Sequence, residues 1–175
     1  MNRFFFLAVL GCGTLLAQGT NGLVSEAKFP WTVVRDNLLK MAEKMPAENY
    51  TFKPTPEIES FGQRLAHIAG ANLFVCQGVM GHPSTLSRPA ATAKPELIAL
   101  LKQSSTACDS AFDSLSDAAA MEKIPSRLGG PFPPDPMRTK LATLNNMVRH
   151  SNEVYGYMSV YLRLKGIVPP SSAPE

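Results

Sequence analysis

The sequence lacks the features by which several large classes of protein are recognised. Its 17 basic and 14 acidic residues are scattered, and no basic run is present, which argues against nucleic acid as a partner and against a polybasic membrane patch. No apolar stretch of the mature chain reaches the roughly 20 residues that span a bilayer. Gly-rich phosphate loops, Cys-x-x-Cys pairs and Gly-x-Ser-x-Gly turns are also absent. Any chemistry must therefore come from separate side chains of a globular chain, 45% of whose residues are hydrophobic.

Residues 1–17 predict a secretory signal peptide. Met1–Arg3 is short and positive, an apolar run follows from Phe4, and cleavage is expected after Ala17. We therefore expect an exported protein, periplasmic or extracellular. The alternative is a lipoprotein whose acylated Cys12 anchors it to a membrane.

Apolar residues recur at helical spacing through the rest of the chain, and no strand-like alternation is long enough to matter. Four helices are predicted, beginning at Pro30, at Ser60 (with Gln63 completing a capping box), at Pro95 and at Asp135. Four amphipathic helices predict an all-α fold, a four-helix bundle. Because the connections differ in length, at least one of them is expected to cross over.

The domain boundaries follow from this pattern. We expect a linker at 18–28, one bundle domain at 29–170 and a tail at 171–175. The last helix is expected to run to Lys165, where Gly166 supplies a left-handed cap. The Gly- and Pro-rich stretch 118–134 predicts a long loop, which is either a lid, a crossover or a plain connection.

Two cysteines remain once the signal peptide is removed. Cys108 lies on the inward stripe of the third predicted helix, and Cys76 lies near that of the second. In an oxidising compartment this arrangement favours a disulfide between them. Two buried free thiols are the alternative.

Three histidines are candidates for a functional site. His82, in a Gly-His-Pro turn, is expected to be exposed. His67 lies beside the inner stripe of the second helix, and His150 lies on an apolar stripe of the fourth. Facing helices can hold a metal between such side chains, but a catalytic zinc site needs three protein ligands. The residues alone leave two alternatives open. One is a metal site; the other is a half-buried His67 with one hydrogen bond and a core His150 bonded to a tyrosine or a backbone carbonyl. The expected pocket around them is formed by Phe74, Tyr157 and Tyr161.

Two segments resemble the DinB-like family. One is 49–68, with Asn-Tyr-Thr-Phe-Lys-Pro-Thr-Pro-Glu followed by Ser-Phe-Gly-Gln-Arg-Leu-Ala-His-Ile, and the other is 150–170, from His-Ser-Asn-Glu-Val-Tyr-Gly to Ile-Val-Pro-Pro. The resemblance implies a four-helix bundle in up-down-down-up order and a homodimer. It also implies a divalent metal, nickel or zinc, held by three histidines.

The family's ligand positions correspond to His67, His150 and Val154, so the pattern His-x-x-x-His-Tyr-Gly is broken at the third. Glu153 is expected to point too far from His150 around the helix to replace that ligand, and Tyr157 is a poor ligand when neutral.

The sequence therefore predicts an exported bundle with a partial, two-histidine metal site that is weakened or inactive in catalysis. Such a bundle is expected to bind a small-molecule ligand or only itself. The alternative is a metal-dependent transferase or hydrolase acting on a small molecule, since some relatives are thiol-dependent transferases.

Overall fold

The computed structural model describes residues 22–82, 93–125 and 137–174 of the protein. In chain order the described elements are α1 (Gly22–Lys44), a 3-10 turn (Ala47–Asn49), α2 (Phe61–Val79), α3 (Lys94–Asp113), α4 (Asp117–Ala120), β1 (Lys123–Pro125), β2 (Met137–Thr139), α5 (Lys140–Leu164) and a second 3-10 turn (Pro170–Ser172). The predicted signal peptide, Cys12 and the connections 83–92 and 126–136 lie outside the described residues.

Contacts between the helices give the order up-down-down-up. Helix α1 is antiparallel to α3, because the Lys28–Asp113 and Arg35–Asp109 ion pairs match earlier residues of one to later residues of the other.

Helix α3 is parallel to α2, since Gly62 lies against Leu97 near the start of both and Cys76 is bonded to Cys108 farther along. Helix α2 is antiparallel to α5, with Tyr161 at Glu59 and His150 at His67. The all-α prediction is confirmed, and the parallel α2–α3 pair requires the expected crossover.

Helix α1 begins at Gly22, inside the segment 18–28 for which the sequence predicts a linker. The carboxylate of Asp117 accepts hydrogen bonds from the backbone N–H groups of Leu23 and Val24, at 3.1 and 3.0 Å. Val24 is buried, which ties this first turn to the core. Pro30 is therefore an interior residue of the helix, on an exposed face, and it lacks the N–H that would continue the helical hydrogen bonds at this point.

Helix α5 begins at Lys140, later than the predicted start at Asp135. Thr139 is its cap and accepts a hydrogen bond from the N–H of Ala142. Residues Met137–Thr139 are extended because they pair with β1 in a two-stranded antiparallel ladder. This ladder and α4 also correct the prediction of a continuous loop over 118–134.

Other predicted boundaries are confirmed. The capping box of Ser60 and Gln63 starts α2, and Gly166 ends α5 with a φ of 71°. The predicted tail begins attached to the bundle, because Ser171 is hydrogen-bonded to the hydroxyl of Tyr155.

The core runs the length of the bundle and contains the predicted disulfide. Cys76 and Cys108 are bonded, and both residues have an exposed fraction of 0%. The same core cluster contains large apolar side chains from all four long helices, including Trp31, Phe61, Phe112 and Met147. In the part of the chain that the structure describes, no helix combines the length and apolar character that crossing a bilayer requires.

Candidate functional site

His67 on α2 and His150 on α5 meet across the seam between these helices. Their Nε2 atoms are 3.1 Å apart, and the two rings stand nearly perpendicular with centroids 5.3 Å apart. At this distance one Nε2–H donates a hydrogen bond to the other Nε2. Both side chains are partly buried. The predicted convergence of the two imidazoles across the bundle is thus present.

Two hydrogen bonds tie α5 to α2 and to the residue that precedes its cap. The hydroxyl of Tyr161 donates to the backbone oxygen of Glu59, just before Ser60, at 2.7 Å. The buried hydroxyl of Ser151, next to His150 in the chain, donates to Oδ1 of Asn72 on α2 at 3.1 Å. Together these bonds fix the register in which the two imidazoles face each other.

Glu153 belongs to the site, although the sequence predicts that it points away. Its Oε2 lies 3.8 Å from Nδ1 of His150, because three residues advance a helix by about 300°, which leaves only about 60° between the two side chains. The carboxylate accepts hydrogen bonds from the Tyr157 hydroxyl at 2.9 Å and from Arg149 at 3.2 Å. The i, i+3 spacing after His150 was the sequence signal for this neighbour.

The surroundings of the pair determine the charge of these groups. Burial lowers the pKa of His150, an effect that the carboxylate of Glu153 opposes and Arg149 reinforces. The hydrogen bond from Tyr157 lowers the pKa of Glu153 and raises that of Tyr157. At neutral pH the site therefore presents a neutral His150 beside an ionised Glu153.

The comparisons with known proteins agree with this architecture. A family model described as the DinB superfamily matches residues 31–158. The chain belongs to the DinB superfamily. The crystal structure of a DinB-like protein from Bacillus cereus ATCC 10987 is similar to it, with a TM-score of 0.66 and 19% sequence identity over 85% of this chain and 94% of that one. At this identity the likeness shows the fold alone. None of the curated proteins matches the chain.

In this DinB-superfamily chain the spacing of the two histidine nitrogens is close to that of two ligands on one metal ion. Zinc–nitrogen bonds of 2.0–2.1 Å in tetrahedral geometry place two ligand atoms about 3.3 Å apart, close to the observed 3.1 Å. A third ligand does not fit. Val154 occupies that position and is 1% exposed, and among the described residues no group of three or more His, Cys, Asp or Glu could hold a metal.

The other residues that the sequence predicts at this DinB-superfamily site are separated. Tyr157 is exposed and reaches the pair only through Glu153. Tyr161 is a core residue whose ring contacts Phe52 and Phe61. Phe74 is partly buried against the core, two turns along α2 from the pair. Because α2 and α5 are antiparallel, Phe74 and Tyr157 lie on opposite sides of the histidines.

Proposed function

We propose that this protein is an exported DinB-superfamily bundle that binds a divalent ion, zinc or nickel, weakly and reversibly through His67 and His150. The observation that carries the proposal is the 3.1 Å approach of the two Nε2 atoms at a helix seam. Imidazole nitrogen suits both metals. Because Val154 supplies no third bond, affinity is expected to be at least about 10–100-fold below that of a complete site.

The two histidines would hold the ion, and Glu153 would remain beside His150 on the solvent side. A bound ion supplies Lewis acidity toward a small-molecule ligand or a water. The other residues would contribute by positioning the two histidines, because the hydrogen bonds of Tyr161 and Asn72 hold α5 in register with α2. A site with only two protein ligands is expected to exchange its metal readily and to be weak or inactive in catalysis.

Zinc and nickel titrations followed by calorimetry test this proposal. We expect one ion per chain for the mature wild type and for His82→Ala, a matched control that removes an exposed histidine. His67→Ala and His150→Ala should each abolish stoichiometric binding. A wild type that binds neither metal, or variants that all bind equally, would overturn the proposal.

A second candidate function is a metal-dependent transferase or hydrolase that acts on a small molecule, with or without a thiol substrate. The ionised carboxylate of Glu153 next to the pair favours it, because such a group can accept a proton from a nucleophile. Turnover of activated esters and of thiol-accepting electrophiles by metal-loaded protein tests this candidate. Activity lost in Glu153→Gln and retained in His82→Ala would support it, and no turnover of either class would exclude these reactions.

Export is supported by the signal-peptide pattern and by the disulfide, which is rare in cytosolic proteins. The mass of the N-terminus of the cell-derived protein distinguishes cleavage after Ala17 from acylation of Cys12. A chain that retains Met1 in the cytosol would contradict both.

We also propose a homodimer. Three side chains on one side of α5 support it, since they are large, apolar and more than half exposed: Tyr157, Val160 and Leu164. Light scattering of the wild type should give twice the chain mass, and Val160→Glu should give a monomer. A monomeric wild type would contradict the proposal.

A further inference from the structure

We propose that Glu153 is a positioning residue that fixes the tautomer of His150 and so keeps its Nε2 available as an electron-pair donor. The inference deepens the proposed function, and its consequence for metal binding rests on that function. It begins from the placement of the carboxylate, 3.8 Å from Nδ1 of His150, on the side of the ring away from His67.

The carboxylate is held in place by two donors one turn to either side of it on α5. Tyr157 donates to Oε1, and Arg149 donates to Oε2. Residues four apart lie on the same helix face, so both donors reach Glu153 without distorting the helix. The negative charge is therefore fixed next to one nitrogen of one ring.

A neutral imidazole carries its hydrogen on one nitrogen and a lone pair on the other. With the hydrogen on Nδ1, the N–H dipole of His150 points toward the carboxylate, which is favourable. With the hydrogen on Nε2, a lone pair would face the negative charge. Glu153 thus selects the Nδ1–H form and leaves the lone pair on Nε2, facing His67.

This choice also fixes the neighbouring ring. The 3.1 Å contact between the two Nε2 atoms needs one hydrogen. Since His150 presents a lone pair there, His67 is the donor and carries its hydrogen on Nε2. The metal-free pair is therefore asymmetric, with His67 donating to His150.

A bound ion would be held by a lone pair on each Nε2 atom. His150 would offer its lone pair without rearrangement. His67, the donor in the metal-free pair, would have to carry its hydrogen on Nδ1 to offer one. The structure thus assigns to His150 the role of the preformed ligand and to His67 that of the ligand that must exchange tautomers.

Nitrogen NMR of protein labelled in its histidines tests the inference at about pH 8, above the ordinary pKa of histidine. In metal-free wild type we expect Nδ1–H at His150 and Nε2–H at His67, and zinc should convert His67 to Nδ1–H. Glu153→Gln should give mixed tautomers at His150 and about tenfold weaker zinc binding, the low end of the effect of a residue that orients a ligand. Tyr157→Phe should shift the tautomer ratio in the same direction by less.

Glu26→Gln is the matched control, because it removes one exposed carboxylate from α1, away from the seam. It should leave the tautomers and the zinc affinity unchanged. Pure Nδ1–H at His150 together with unchanged zinc affinity in Glu153→Gln would overturn the positioning role. A wild type that binds no zinc, but whose His150 tautomer depends on Glu153, would overturn the proposed function and support the positioning role.

Discussion

Val154 lies one helical turn after His150, at the position where the family pattern has its third histidine. Its side chain is 1% exposed and belongs to the core cluster. The residue therefore stabilises the bundle by burial, where a ligand would instead need space for an ion. At this position the side chain therefore contributes packing and no ligand atom.

Val154→His is expected to add the missing ligand at a cost in stability. Enlarging a core side chain typically destabilises a protein by about 1–3 kcal/mol, so the metal-free variant should melt below the wild type. Zinc should raise its melting temperature more than that of the wild type, because a ligand that binds only the native state stabilises it. Differential scanning fluorimetry with and without zinc measures both effects, with Val154→Gln as a polar control without an imidazole. Equal zinc shifts in the two variants would contradict the expectation.

His150 is expected to make stability depend on pH. Burial lowers the pKa of His150 in the native state below its ordinary 6.5. Between the native and the unfolded pKa, this residue is protonated in the unfolded chain and neutral in the native state. This effect is absent above about pH 6.5 and destabilises the native state progressively as the pH falls toward the native pKa.

Urea unfolding at about pH 7.5 and about pH 5, on either side of the ordinary pKa of histidine, checks this expectation. The urea midpoint of the wild type should fall more between these two values than that of His150→Gln. Equal falls in the two proteins would mean that His150 contributes nothing to the acid sensitivity.

The residues of the site differ in how far the sequence could predict them. The histidine pair could be predicted, because His67 lies beside an apolar stripe of its helix, His150 lies on one, and the family resemblance pairs those two helices. The role of Glu153 was missed, because its angular offset from His150 was overestimated. The separation of Phe74 from Tyr157 follows from helix direction, which stripe positions alone do not give.

Among the helices and strands, boundaries set by local sequence signals were predicted correctly, and boundaries set by contacts with distant residues were not. Ser60 with Gln63 and Gly166 act within a few residues of themselves, and both boundaries are confirmed. The start of α1 depends on Asp117, more than 90 residues away. The start of α5 depends on strand pairing with β1. No pattern within either helix contains this information.

Asp117→Ala is expected to loosen the first turn of α1 without unfolding the bundle. The variant removes the acceptor for the N–H groups of Leu23 and Val24, and loss of a cap typically costs about 1 kcal/mol. Hydrogen exchange should speed up at residues 23–28 and stay unchanged in the middle of α2. Glu96→Ala, which removes an exposed carboxylate from the opposite end of α3, serves as a control. Equal exchange at residues 23–28 in wild type and Asp117→Ala would rule out the capping role.

For the whole molecule, the disulfide joins the two parallel helices across the connection that must cross over. It closes a loop with a sequence separation of 32 residues, which in the chain-entropy model contributes about 3–4 kcal/mol. The family resemblance predicted the up-down-down-up order, and the cysteine positions predicted the bond. Hydrophobic periodicity alone predicted four helices but not which of them are parallel.

Replacing both cysteines by alanine is expected to lower the free energy of unfolding by about this amount or more, since two small cavities are added. Urea unfolding of the double variant against the oxidised wild type measures the difference. A double variant as stable as the oxidised wild type would show that the bond constrains nothing in the unfolded chain.

The complete burial of both sulfurs also limits when the bond can form. Neither an oxidant nor a thiol reagent can reach sulfur atoms that have no solvent contact. The two thiols must therefore be oxidised while they are still exposed, before the bundle is fully folded. Newly made chains that fold while still reduced would bury their thiols, and would have to unfold at least locally before the thiols could be oxidised. The timing of oxidation relative to collapse, more than the final arrangement of helices, would then decide how much of the protein reaches its bonded form.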